Sequence, residues 1–333
     1  MIIENSKTYD VTDVENVFFR PTFCGKAAED FGIRILYNMP IPTKVPLFRH
    51  NNNLLKSFSS GWQGGSSATK SQKQIDLKKL KAESSYSAED YFSTVYEMIT
   101  NSSDVNLGDL TGTDLEKAET ELFRRALAEN IYACTWFGDS YTEISDFGVY
   151  DGFLRQAVNI KDNNGAEVPL IIHEEEEEST VESILLHSWL NAKDELRSLA
   201  SEGNLVYFVS SDIYDAYQFY LDKAGNANAY ADSINGRPAL SYHGIPIVEV
   251  PAQKYELKRC KSFCILTDRR NFVLALNTAD SPEKEIKMWY NPDEMENRQR
   301  VVFLVGTAIL DNDLLSGFIY DSTLTISDYD IYA

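Results

Sequence analysis

The chain has 333 residues, with 51 acidic against 31 basic side chains and a formal net charge of −20 when histidine is neutral. Its composition, 43 % hydrophobic, 25 % charged and 12 % aromatic, is globular, so disorder is excluded as a description of the whole chain, and one large domain or two small ones would fit. A body this acidic repels nucleic-acid phosphate and anionic lipid, which confines any such contact to a local patch.

No apolar run approaches the roughly 20 residues that a helix needs to cross a bilayer; the longest spans 301–305 and resumes at 307–310. The opening MIIENSKTYD has one lysine, early acids and no apolar core, so no secretory signal is expected and folding is expected in a cytoplasm. Cys24, Cys134, Cys260 and Cys264 are few and scattered. They are expected to be reduced, buried thiols, and the spacing of Cys260 and Cys264, with His243 as the local histidine, does not suit a zinc site.

The first 42 residues lead into the run NMPIPTKVP at 38–46 and hold no long helical stripe, so they read as an extended arm. Residues 44–82 carry eight basic side chains against the single acid Asp76, a local charge of +7 that leaves −27 for the remainder. The centre, SFSSGWQGGSSATKSQ, is Ser/Gly-rich without helical period, and the segment reads as a projecting hairpin or flexible arm. Trp62 falls at its tip, where a large apolar side chain calls for a partner surface.

A helix is expected over 114–137, opened by a Thr113/Glu116 capping box and ended by Gly138. Its apolar residues Leu115, Ala118, Leu122 and Ala126 recur at three and four, joined by Phe123, Leu127, Ile131 and Cys134. Leu122 and Leu127 are both expected in the core. At roughly 1.5 Å per residue this spine is about 35 Å long. A Ser179/Glu182 box opens a second helix carrying Val181, Ile184, Leu185, Trp189, Leu196 and Leu199. The acidic run 174–178 before it reads as a solvated loop. A strand over 205–209 leads to a helix starting near Ser211. Strands are then expected over 245–250, 263–266, 272–276, 286–290 and 301–310. The mixture is α+β, with neither regular βαβ alternation nor internal repeats.

Catalytic patterns are missing. No phosphate loop, dinucleotide fingerprint or nucleophile elbow occurs in the sequence. His173-Glu174 starts like a zinc-binding HExxH, but Glu177 stands where the second imidazole belongs. Asp311-Asn312-Asp313 starts like a calcium loop and stops at Leu315. His187, beside Trp189 on a helix, reads as packed or interfacial, and His243, before Gly244, as a turn residue. No metal, cofactor or catalytic residue is assigned.

The order of elements resembles the major capsid proteins of tailed bacteriophages, which have the Hong Kong 97 fold, over nearly the whole chain. HGIPIVEVP at 243–251 is similar to a turn-and-strand of that family, and ILTDRRNFVLALN at 265–277 to its hairpin. KMWYNPDEMENRQR at 287–300 followed by VVFLVGTAIL resembles the strand pair that returns to the spine, and YDGFLRQAVN at 150–159 the passage from spine helix to axial domain. The resemblance implies an N-terminal arm at 1–42, an E-loop at 43–86 and a spine helix with peripheral domain at 87–149. An axial domain at 150–285 and return strands with a tail at 286–333 complete it.

It further implies a shell protein rather than an enzyme, assembling with itself through hexamers and pentamers into an icosahedral head. That head encloses double-stranded DNA without sequence-specific binding and without a membrane. Portal and scaffolding proteins are the implied partners, and assembly in the host cytoplasm precedes residence in the virion. A +7 arm meeting the −27 body of an identical neighbour fits such a contact, in which every copy gives and receives. Lys56, Trp62, Lys70, Lys73, Lys78 and Lys79 are the expected intersubunit residues. An encapsulin-type compartment is the rival of the same fold. A carboxylate-based hydrolase, or another phage structural part, is the rival of a different class.

Overall fold

In an extended segment such as N-R-Q-R-V-V-F-L-V at 297–305, every second side chain falls on one face. In the computed structural model it becomes a single strand, β14 (Glu296–Ile309), with Asn297, Gln299, Val301, Phe303 and Val305 buried. The residues described are 28–50, 57–61, 68–87, 109–111, 114–140, 147–158, 170–173, 180–223, 233–234, 237–238, 240–251 and 262–320.

Around β14 a first sheet assembles. β4 (Lys78–Ser87) pairs antiparallel along one side of it; β12 (Phe272–Leu276) and β13 (Lys287–Asn291) share the other. β1 (Arg34–Leu36) adds parallel to β12. The buried face carries Phe272, Leu274, Val301, Phe303, Val305 and Ile309. Against it lies α1 (Asp114–Phe137), the expected spine.

The helix buries its C-terminal half, where Ile131 to Phe137 are buried in succession. Trp136 is fully enclosed, its ring 4.9 Å from that of Phe208, 5.3 Å from Phe153 and 5.8 Å from Phe272, while Phe31 stacks on Tyr132 at 4.6 Å. Burying each such ring stabilises the fold by roughly 1.5–3 kcal/mol. The expectation for Leu122 is corrected: it is 37 % exposed, and the inward stripe runs through Phe123, Leu127 and Ile131. Leu122 stands about 100° around the helix from Phe123, on the side that carries the Glu121 pairs with Arg124 and Arg125.

A second sheet has the order β5 (Leu170–His173), β15 (Leu315–Tyr320), β11 (Ser262–Asp268), β6 (Leu205–Ser210), β10 (Ile245–Val250), β9 (Ser241–Tyr242). Its inner face, including Val206, Phe208, Phe263 and Ile265, joins the core beneath α1. The other face is covered by α3 (Val181–Leu190) and α5 (Ser211–Lys223), following the short α2 (Phe153–Val158) and α4 (Asp194–Ser198) in the chain's helix series. Cover on both faces is why the strand at 205–210 is apolar nearly throughout. β6 and β10 are parallel with α5 between them, one βαβ unit in an otherwise mixed arrangement.

The second expected helix differs in two details. Its N-cap is Thr180, whose hydroxyl accepts from the Ser183 amide at 3.2 Å, and Ser179 lies outside the described residues, as does Thr113 of the first box. The helix ends at Leu190, where the Asn191 amide donates to the His187 carbonyl; extended Lys193 then starts α4, which carries Leu196. His243 holds a two-residue turn between β9 and β10 with φ 50°, followed by Gly244 at 79°, the double left-handed conformation that such hairpins require. Among the described residues no helix is long and apolar enough to cross a membrane.

Candidate assembly surface

The basic segment begins as a hairpin. β2 (Thr43–His50) pairs antiparallel with β3 (Ala68–Ile75), from Thr43 opposite Ile75 outward to His50 opposite Ala68. Because directly paired residues share a face, Val45 and Ile75 point to the same side. They pack there with Val273, Ala275 and Ala308 on the outer face of the first sheet. The chain then crosses over Gly306, where a Cβ would lie 2.6 Å from the Asp76 carbonyl oxygen. A residue without a side chain is what allows the backbone this close.

Lys44, Pro46 and Phe48 on β2, with Lys70, Gln72 and Gln74 on β3, form the hairpin's solvent face. Phe48 is 70 % exposed and stands opposite Lys70; further along, Phe58 is 98 % exposed. Lys73 is opposite Val45 on the anchored face and is half-buried. Lys78 and Lys79 leave the hairpin and belong to β4, paired with Val305 and Leu304. The four described lysines therefore divide between two elements and three environments. Lys56 and Trp62 lie outside the described residues.

On the outer face of the first sheet, beyond the hairpin base, β4, β13 and β14 line a groove of about 330 Å³. Arg300 stacks over Trp289, 5.3 Å from guanidinium carbon to ring centre, and its Nη1 is 3.9 Å from Glu83 Oε1. Arg298 is held by Glu294 and, at 3.3 Å, by Glu296. Lys81 donates to Glu83 at 2.6 Å and holds that carboxyl below the usual carboxylate range. Trp289 remains 40 % exposed and Val302, two residues beyond Arg300 on β14, 46 %.

The expected contact residues are five lysines and Trp62; the exposed aromatics Trp289, Phe48 and Phe58 are not among them. The available signal was parity: Arg298 and Arg300 at i and i+2 share one face of a strand, and in the β13 hairpin Trp289 registers opposite Arg298.

Of the residues weighed for chemistry, Asp311 and Asp313 hold structure, while Glu174 and Glu177 lie outside the described residues. Asp311 caps the turn Asn312–Leu314 by accepting from the Asp313 amide, and Asp313 pairs with Lys193 at 2.6 Å. His187 is exposed, with its ring 6.4 Å from Phe318. Cys134 and Cys264 are buried thiols, burial pushing that of Cys264 up to about 12; Cys24 and Cys260 lie outside the described residues. Asp212 is also buried, its carboxyl raised by desolvation against the bonds it accepts from Ser210 and Ser262.

No protein-family model matches the sequence, and no curated protein matches it. Solved structures do match. A chain of the satellite phage P4 procapsid superposes with a TM-score of 0.51 at 12 % identity, covering 97 % of this chain and 94 % of that one. The capsid of a native GTA particle gives 0.53 at 12 % identity, over 97 % and 96 %. The SrpI encapsulin of Synechococcus elongatus PCC 7942 gives 0.50 at 10 % identity, over 98 % of each. The chain has the α+β, Hong Kong 97-like fold that these shell-forming proteins share.

Proposed function

We propose that this chain is the major capsid protein of a tailed bacteriophage, assembling with itself through hexamers and pentamers into the icosahedral head that encloses the DNA genome. The observation that carries this reading is end-to-end likeness: procapsid and capsid chains match over 97 % of the residues. The hairpin at 43–75 supplies the reaching part of the E-loop. The first sheet with α1 corresponds to the peripheral domain and the second sheet with its helices to the axial domain.

The protein acts by geometry rather than by turnover. Its described surface offers a rooted basic hairpin and a paired polar groove, and the contact contributes through shape, apolar burial and opposite charge. Portal and scaffolding proteins are its further partners, the enclosed DNA is held without sequence recognition, and the virion is its destination after assembly in the host cytoplasm.

Negative-stain microscopy of the purified full-length protein tests this. Closed shells are expected; a protein that stays monomeric across salt, pH and concentration overturns the reading. The coverage of the encapsulin keeps a second reading in view, a compartment that holds a protein. Shells isolated from the native source separate the two: DNA inside supports the head, and a bound protein cargo supports the compartment.

A further inference from the structure

Directly paired residues of neighbouring strands share a face, so Trp289, Arg298 and Ser85 form one row across the outer face of the first sheet, and Arg300 and Glu83 stand in the next. Part of this polar surface is satisfied within the chain. Arg298 is taken up by Glu294 and Glu296, and Glu83 Oε2 by the Lys81 ammonium. The rest is open. Arg300 Nη1 and Glu83 Oε1 face each other at 3.9 Å, too far for a hydrogen bond. Among the described residues the Arg300 guanidinium, the Ser85 hydroxyl and the Trp289 indole N–H have no hydrogen-bond partner. The indole itself is steadied by the Arg300 guanidinium, 5.3 Å from its ring centre, and 40 % of its surface stays exposed.

We propose that this groove binds a neutral saccharide of one or two pyranose rings. Charge selects the class first. Lys81, Arg298 and Arg300 are balanced by Glu83, Glu294 and Glu296, so no surplus cation is left for a phosphate and no surplus carboxylate for a metal ion. Open donors and acceptors beside an exposed indole select it further. A pyranose has an apolar C–H face, which stacks on the indole, and a rim of hydroxyls that both donate and accept. A hydroxyl set in the gap between Arg300 Nη1 and Glu83 Oε1 accepts from the first and donates to the second, two charge-assisted bonds that the protein does not make by itself. The Ser85 hydroxyl and the indole N–H serve the remaining hydroxyls. The volume of about 330 Å³ lies at the small end of ligand sites, which limits the ligand to one or two rings. All of these residues belong to one subunit, so the inference is independent of self-assembly.

The test is saturation-transfer NMR and calorimetric titration of the full-length protein with maltose, cellobiose, lactose and N,N′-diacetylchitobiose, and with adenosine monophosphate as the anionic comparison. At least one disaccharide is expected to bind, with the same affinity at about 0.05 M and 0.5 M salt because the ligand carries no charge. Trp289→Ala is expected to weaken that binding by about tenfold or more, and Glu83→Gln, which keeps the shape of the side chain, by about tenfold. Phe48→Ala, on the hairpin, leaves it unchanged. Thermal melts confirm that each variant is folded. Failure of all four disaccharides to bind overturns the proposal. So does sugar binding that survives both Trp289→Ala and Glu83→Gln, which would lie elsewhere on the chain. Binding of adenosine monophosphate alone, weakened by salt, would make the groove an anion site and overturn it as well.

Discussion

The backbone of Asp76 crosses Gly306 so closely that a Cβ on the glycine would lie 2.6 Å from the Asp76 carbonyl oxygen and 3.2 Å from Leu77 Cδ2. This crossing roots the hairpin on the sheet, next to the Val45 and Ile75 cluster. Gly306→Ala forces the Asp76–Leu77 backbone away and is expected to cost about 1–3 kcal/mol. The hairpin should then be cut faster by protease. An unchanged urea midpoint and cleavage rate would show that the crossing yields freely.

Leu127 and Leu122 provide a matched pair on one helix. Leu127 is buried in the main cluster, so Leu127→Ala should cost about 2–5 kcal/mol. Leu122 is 37 % exposed, so Leu122→Ala should stay within about 1 kcal/mol. Denaturant melts of the two variants check the face; equal losses would mean that the helix is rotated.

On the proposed assembly, the hairpin is expected to contribute to a neighbour more than to its own core. Deleting residues 59–71 spares the Val45 and Ile75 anchor and is expected to leave a cooperative melt while abolishing shells. Lys44→Glu with Lys70→Glu should block assembly at about 0.05 M salt and permit part of it at 0.5 M, where the screening length falls to about 4 Å. Normal shells from both variants at low salt would make the hairpin an idle loop.

Asp212 makes stability depend on pH in an unusual direction for a carboxylate. Burial raises its folded pKa above the ordinary value of 3.8, so the folded chain holds the proton more tightly than the unfolded one. Its contribution is therefore fully present below the ordinary value and is lost as pH rises through the folded pKa. Asp212→Asn removes that loss, and the stability of the variant relative to wild type should grow between pH 4 and pH 7. Urea melts at both pH values measure it, and a difference independent of pH would contradict the assignment.

The buried thiols should be silent. Cys134 and Cys264 are both enclosed, and the Cys264 thiol, pushed up to about 12, is protonated at neutral pH. Alkylation followed by peptide mapping should label neither in the native protein and both in urea; native labelling of Cys264 would mean that the second sheet opens readily.

Local periodicity is a property of the chain itself, which is why its consequences were legible before any fold was known. The apolar run at 301–310 marks the C-terminal part of β14, the unbroken apolar run at 205–209 marks a strand covered on both faces, and a 3–4 stripe marks α1. Which face meets which partner is not local. Leu122 and Phe123 are neighbours on the same helix, and only the position of the first sheet decides that Phe123 turns inward. Lys73 and Lys78 stand five residues apart in one basic run, yet the strand pairing sends one to the hairpin and the other to β14. The groove joins Glu83 to Trp289 and Arg300 across some two hundred residues, because β4 and the distant β13–β14 hairpin satisfy one another's backbone hydrogen bonds side by side.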